Sequence, residues 1–483
     1  MRTLALAQAW QREGGRVALA MRPGSASLGA QLQSLGYRVH PIQAEAATSD
    51  DAAQVARLAR EDGAGWVVVD GYGFAATYQQ TIRDAGLRLL AIDDFGRIRS
   101  HCAELVLDQN LGTGERFYAD RAGHSRLLLG PRYVMLRREF WPFRGWRRQV
   151  ADRAQRVLVT LGGADPDNVT LKVIEAIDRL AEHRLHCQVV VGSVNPHREQ
   201  LEEAVRKSGA RIELTNHVAD MTEPMRWADV AVSAGGTTCW ELAFLGLPNA
   251  IVVLADNQAG VAEALAREGV SINLGVHSAV GPERIAEALG VLLRDAEARR
   301  QMSERGQRLI DGRGAGRVVT RLRAAQLRLR GAQLGDCRQL WEWANDPTVR
   351  AWAFSQAPIP WEEHVRWFQK KLRSPHCALF IAADEAGDAL GQVRLEWDSR
   401  GEAEVHISVA RERRGAGIGS AVIRRVVDQA WNEQPIRVIH AHVKPDNQAS
   451  LRAFERAGFR CAGPVTVRGH DAVRLTVSKQ DDP

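Results

Sequence analysis

The chain has no C-x-x-C pair and no two cysteines at zinc-ligand spacing, which argues against a zinc ribbon or finger. Its six cysteines, Cys102, Cys187, Cys239, Cys337, Cys377 and Cys461, are read as reduced and mostly buried thiols. No apolar run approaches the ~18 residues that span a membrane. No basic segment followed by an apolar core opens the sequence, so no secretory signal is read and a cytoplasmic location is expected by elimination. Dense Lys/Arg blocks beside aromatics are also missing. The net charge of +6 comes from arginines scattered among 58 acidic residues, so neither nucleic acid nor a membrane is expected as a partner. There is no long internal repeat, no low-complexity tract and no Pro/Gly/Ser linker.

What is present fits a multidomain globular protein. At roughly 100–200 residues per domain, 483 residues predict two to four domains, and the 45% apolar and 25% charged shares are ordinary. Leu4, Leu6, Ala7 and Trp10 share a helical face that Gly14-Gly15 ends, and Arg16–Met21 then reads as a buried strand. Further strands are expected at 66–70, 87–92 and 105–107. A second alternating series has strands at 156–160, 187–191, 211–214, 230–232 and 250–253, with helices at 168–182, 197–208, 259–268 and 282–310. Such alternation makes parallel sheets with crossover helices. The arginine-rich stretch 142–155 is the expected connection between the two series. A third unit starts with the half-buried strand 326–330. The expected fold class is therefore α/β: two Rossmann-like domains, 1–145 and 150–320, followed by an α+β domain, 326–483.

Ser233-Ala-Gly-Gly-Thr-Thr238 follows a strand and opens a helix. Glycines there let phosphate oxygens reach the backbone, and the helix N-terminus offers free N–H groups. Glu241, one turn on, can accept hydrogen bonds from ribose hydroxyls. Asp93-Asp94 has the composition of an acid/base pair, but adjacent residues in a turn point apart, so a turn or cap role is expected. Asp165 is placed either to cap the next helix or to line the cleft. His101, His197 and His217 stand alone and are read as structural or exposed.

These blocks, with Asp70-Gly-Tyr72, Ile92–Phe95, Gly130–Tyr133, Leu161–Pro166, Gly192–Pro196 and Asn257-Gln258, resemble the GT-B architecture of MurG-like UDP-sugar enzymes. Within it they resemble the UDP-sugar hydrolases of pseudaminic acid biosynthesis over about residues 1–320. The resemblance implies a UDP diphosphate at Gly235, Gly236 and Thr237, ribose at Glu241, the sugar facing Tyr72 and Asn257 with Gln258 beside it, and no metal. The implied reaction is attack of water on the anomeric carbon with release of UDP. The family opens with a strand and a histidine-bearing loop, whereas Met1-Arg2 matches only the family's segment after that histidine. This departure is read as a start upstream of Met1 or, failing that, as a unit that has lost hydrolysis, and weak or absent hydrolysis is expected of the chain as given.

In the third unit, strand Glu404–Val409 runs through Arg414-Gly-Ala-Gly-Ile-Gly419 into the helix beginning at Ser420. Consecutive amides in such a turn can hold a pyrophosphate. With strand Val438–Val443, Asn447–Phe454 and Ala457-Gly-Phe459, this resembles the GCN5-related N-acetyltransferase (GNAT) fold. The resemblance implies acetyl-CoA held at Arg414, Gly415, Gly417 and Gly419, with Asn447 and Ser450 on the coenzyme side. The place where many members have a proton-donating tyrosine is Phe454. Glu404 and His406 are the candidate bases or water-relay residues. Asn345, Arg350 and His364 are the polar positions expected near the acceptor, in a segment whose Trp341 and Trp367 are more often core.

Adjacent steps in one chain make chemical sense: N-acetylation of a UDP-4-amino-sugar, then removal of UDP, with contact to neighbouring pathway enzymes. The alternatives are a GT-B transferase or epimerase fused to an acetyltransferase, and an acetyltransferase carrying an inactive UDP-sugar-binding module.

Overall fold

The computed structural model describes residues 1–22, 26–163, 165–180, 184–192, 195–216, 218 and 220–480, leaving Ala164, Ser193, Val194 and His217 of the motifs above outside the described residues. Two compact units emerge: Met1–Gln8 with Ala18–Ala315, and Ala9–Val17 with Gly316–Pro483.

The first unit holds three parallel sheets. Among the described residues β1 (Ala18–Met21) pairs only with β2 (Arg38–Pro41), while β3 (Trp66–Asp70), β4 (Arg88–Ile92), β5 (Leu105–Asp108) and β6 (Arg126–Leu129) run side by side in that order. β1 is not the buried strand expected from its apolar run; its residues alternate between exposed and half-buried, because β2 is its sole described neighbour. β4 and β5 are buried almost throughout. That is why they read as unbroken apolar runs: a parallel sheet is covered on both faces.

The third sheet contains β7 (Arg156–Thr160), β8 (His186–Val191), β9 (Arg211–Asn216), β10 (Val230–Ala234), β11 (Asn249–Val253) and β12 (Ile272–Val276), in the spatial order β12-β11-β10-β7-β8-β9. The chain order reverses between β7 and β10, the switch point outside which open α/β sheets bind ligands. The Ser233 block leaves β10 at that point. The stretch 282–310 is two helices, Pro282–Arg294 and Ala296–Leu309, broken at Asp295, whose side chain caps the second through Ala298 N. The connecting stretch 142–155 is pinned by Arg148, which donates to the carbonyls of Leu245, Ala228 and Met225 at 2.8, 2.8 and 2.6 Å.

In the second unit, β13 (Arg328–Gly331), β14 (Cys377–Ala383), β15 (Ala389–Trp397), β16 (Glu402–Val409), β17 (Val438–Val443), β18 (Arg460–Val467) and β19 (His470–Ser478) form one sheet, ordered β13-β14-β15-β16-β17-β19-β18. Among the described residues of this sheet only β16 and β17 run parallel, and their pairing covers Glu402–Glu404 against Val438–His440. Beyond Glu404 the two strands part. Of the cysteines, only Cys187 and Cys239 are buried; Cys461 is exposed and the other three are half-buried. Edge or end positions such as those of Cys377 and Cys461 do not need full burial. No helix among the described residues is long and apolar enough to cross a membrane.

Candidate functional sites

In the first unit the polar cluster forms where parallel strands end. β3 ends at Asp70, β4 delivers Asp94 and β5 delivers Asn110. The Arg2 guanidinium grips Asp94 through Nη1 and Nη2 at 2.7 and 3.0 Å, and Asp70 through Nη2 and Nε at 2.8 and 3.0 Å. Asn110 Nδ2 donates to Asp94 Oδ1 at 2.6 Å. Tyr72 Oη donates to Asp94 Oδ2 at 2.8 Å and accepts from Asn257 Nδ2 at 3.2 Å. Tyr72 and Asn257, distant in sequence, thus meet. Burial opposes ionisation of Asp94, but Arg2 and the Asn110 and Tyr72 donors outweigh it and hold the carboxyl below its ordinary range. Burial, with Asp94 alongside, pushes the Tyr72 phenol up.

The adjacent carboxylates divide as their opposite directions dictate. Asp93 is fully buried, 3.3 Å from both His101 Nε2 and Ile98 N, and holds its turn together. Asp94 faces the cluster, so sequence reasoning missed it by giving both one role. Asp165 caps the helix Val169–Asp178, accepting from Val169 N and Thr170 N at 2.9 Å each.

At the β10 junction, three expectations change. Gly235 does not have a free amide: Gln258 Oε1 accepts from Gly235 N at 3.1 Å and from Leu254 N at 3.0 Å. Gln258 therefore braces the loop, and a Cβ on Gly235 would lie 2.9 Å from Gln258 Cβ. Glu241 is buried and accepts from Arg137 Nη2 at 3.0 Å. Burial pushes its carboxyl up against the opposing effect of Arg137, so a ribose would have to share it with that arginine. Gly236 and Thr237 directly precede the helix Thr238–Phe244, whose first amides have no intrahelical partner.

The second unit contains a cavity of about 1440 Å³. Its floor is the part of the sheet where β16 and β17 diverge. Residues two apart on a strand share a face, so Glu404, His406 and Ser408 all line it, opposite Glu396, Arg394 and Gln392 of β15. Glu404 Oε1 lies 3.0 Å from His442 Nδ1 and 3.7 Å from His406 Nε2. Lys371 and Arg394 both pair with Glu396. Burial, then the Arg394 charge, pushes the His406 imidazole down to about 4. It is neutral near pH 7 and able to accept a proton. Burial raises the Glu404 carboxyl, but His406 and His442 outweigh that and hold it low.

Above this floor the chain turns through Gly415 and Gly417, with φ of +82° and +77°, into the helix Ile418–Glu433. Ala421 N makes the bond to Gly417 O, leaving the amides before it at the helix mouth. Arg414 lines the cavity, and its Nη2 is buried without a hydrogen bond. Its Nη1 and Nε donate to Asp346 and Val409 O at 3.0 Å each, fastening the loop to the strand end. Asn447 Oδ1 caps the following helix through Ser450 N at 3.1 Å, and both residues line the cavity. Asn345 is not free for an acceptor: Nδ2 donates to Ile359 O and Oδ1 accepts from Ile359 N, at 3.1 and 2.8 Å. Arg350 does line the cavity, with Nη1 on Ala357 O at 3.2 Å. His364 is buried among Trp361, Trp367 and Phe368 with its imidazole pushed down by burial. Phe454 packs edge-on against Phe459 and offers no proton.

Known proteins match the chain in parts. An uncharacterized protein of Methanocaldococcus jannaschii is 23% identical over 413 residues, 82% of this chain and 81% of its own. The spore coat polysaccharide biosynthesis protein SpsG of Bacillus subtilis is 30% identical over 200 residues, 41% of this chain and 58% of that protein. The spermidine N-acetyltransferase of Vibrio cholerae, solved with CoA and spermine, overlays with a TM-score of 0.30 at 23% identity, covering 32% of this chain and 98% of that one. The glycosyltransferase family 28 C-terminal domain model matches residues 156–312 and the acetyltransferase (GNAT) domain model matches residues 326–460, so the chain is a sugar-nucleotide module of glycosyltransferase type fused to a GNAT acetyltransferase domain.

Proposed function

We propose that this chain N-acetylates a UDP-4-amino-sugar with acetyl-CoA and then hydrolyses UDP from the diacetamido product, in pseudaminic-type nonulosonic acid synthesis. The observation that carries the reading is the His406 imidazole, 3.7 Å from Glu404, in the cavity that Gly415, Gly417 and Gly419 also line. Being unprotonated, the imidazole can take the proton that the amine nitrogen becomes acidic enough to release as it bonds to the thioester carbonyl. The C–S bond then breaks and CoA thiolate leaves, with the acetyl group on nitrogen. Glu404, beside His406, stabilises the imidazolium that forms.

For the second step, Tyr72, Asp94 and Asn257 supply the polar groups facing the sugar, and the Gly236–Thr238 amides hold the leaving diphosphate. Asp94 is the residue best placed to orient the attacking water, through Tyr72. One observation favours a second reading, a UDP-sugar-binding module without hydrolysis: Arg2 already neutralises the Asp94 charge. Mass spectrometry of products from a UDP-4-amino-sugar and acetyl-CoA decides among these. Free diacetamido sugar plus UDP supports both steps. An acetylated UDP-sugar that persists supports the second reading. No acetylation overturns the proposal.

A further inference from the structure

Residues Ala9–Val17 lie some 300 residues before the acetyltransferase domain in sequence, yet they belong to its compact unit. They bring Arg12 and Glu13 to the wall of the cavity. Glu13 is 8% exposed, and Oε1 accepts from Arg456 Nη1 at 2.8 Å. The Glu13 backbone carbonyl accepts from Arg323 Nη2 at 2.7 Å. The second carboxylate oxygen, Oε2, is buried without a hydrogen bond, 3.3 Å from Arg323 Nε. It faces Gly417: a Cβ built on that glycine would collide with Oε2. Gly417 immediately precedes the helix Ile418–Glu433, 16 residues long. A buried carboxylate oxygen therefore sits against the glycine turn where unpaired amides and the positive helix end favour an anion.

We propose that Glu13 is an internal stand-in for a coenzyme phosphate, and that residues 9–17 are a working part of the acetyl-CoA site. Without coenzyme, the carboxylate occupies the space against Gly417 and neutralises Arg456. When acetyl-CoA enters, its pyrophosphate takes the amides of the turn. Two anions cannot share that space, so Glu13 swings out and releases Arg456 to the incoming phosphates. Residues 9–17 thereby set how tightly the domain binds its coenzyme. The inference rests on placing acetyl-CoA at the Gly415–Gly419 turn.

The full-length chain serves for the test. Apparent affinity falls by the fraction of time the binding-competent state is populated, so Glu13→Gln is expected to tighten acetyl-CoA binding by about tenfold if the carboxylate occupies the turn about nine-tenths of the time. Calorimetric titration reads this. A merely structural clasp gives the reverse: unchanged or weaker binding in a folded Glu13→Gln chain overturns the proposal. Hydrogen exchange on the unmodified chain gives a second readout that does not depend on the variant folding. Saturating acetyl-CoA should slow exchange at 417–421 and quicken it at 9–17. Slowing at 417–421 without quickening at 9–17 refutes the role of Glu13 and leaves the coenzyme placement standing. No slowing at 417–421 refutes the placement itself.

Discussion

Two of the glycine-bearing junctions where a strand passes into a helix, Ala234–Thr238 and Gly415–Gly419, are built differently. At Ala234–Thr238 the first glycine is fixed from inside, its amide given to Gln258, and the absence of a side chain is needed because Gln258 packs against it. At Gly415–Gly419, Gly415 and Gly417 are needed for their left-handed φ, and the turn has an acidic side chain pressed on it from outside. Similar strings of letters thus serve packing in one case and backbone conformation in the other. The number of amides left for a phosphate depends on where each amide already goes.

The sharpest way to break this comparison is Gly417→Glu. It places a Cβ at φ +77° and a second carboxylate beside Glu13. Acetyl-CoA affinity should fall by at least about a hundredfold, since a side chain at left-handed φ is strained and like charges repel, while UDP affinity, measured on the same sample, stays unchanged. Equal loss at both sites would mean general unfolding. Next is His406→Gln, expected to lower kcat for acetyl transfer by about 10²–10³, the usual contribution of a general base. The KM for acetyl-CoA should hardly move in steady-state kinetics.

Gln258→Ala tests the braced junction. It frees two loop amides, and losing such partners costs about 1–3 kcal/mol. The melting temperature should drop and UDP should bind a few-fold more weakly, with acetyl transfer unaffected.

The smallest effect concerns pH. With His406 titrating at about 4, the acid limb of kcat lies well below pH 6.5, the ordinary value for histidine. Removing a positive neighbour makes imidazolium easier to form. Arg394→Gln should therefore move that limb upward, by less than about one pH unit, because burial is the larger cause and remains. The depressed value also means that this group's contribution to folding stability is present above about pH 6.5 and is lost as pH falls toward 4.

Much of the architecture was legible because it rests on local periodicity. The buried strands β4, β7 and β11 announced themselves as apolar runs, and Val438–Val443 alternates as a strand covered unevenly on its two faces does. β2 and β12 were missed: Arg38-Val-His-Pro and Ile-Asn-Leu-Gly-Val are too short or too mixed to show a period. Site residues were legible by type and less so by use. Asn345 has the chemistry of a ligand-binding group, but its amide is taken by Ile359, and two of the Arg414 nitrogens are held by Asp346 and Val409. Asp94 was hidden by its twin, since composition cannot say which of two neighbours turns outward. Glu13 could not be found at all, because nothing local ties residue 13 to residues 417 and 456.

The pairing of β1 with β2 alone has a consequence for how the first unit comes apart. Two parallel strands without a third described neighbour leave most of their backbone groups to solvent, and a pair of that kind is marginal in isolation. These strands are expected to be the first block of the unit to open. Protease nicks and amide exchange should reach them while β4 and β5 remain closed, so the unit melts in stages that begin at one rim.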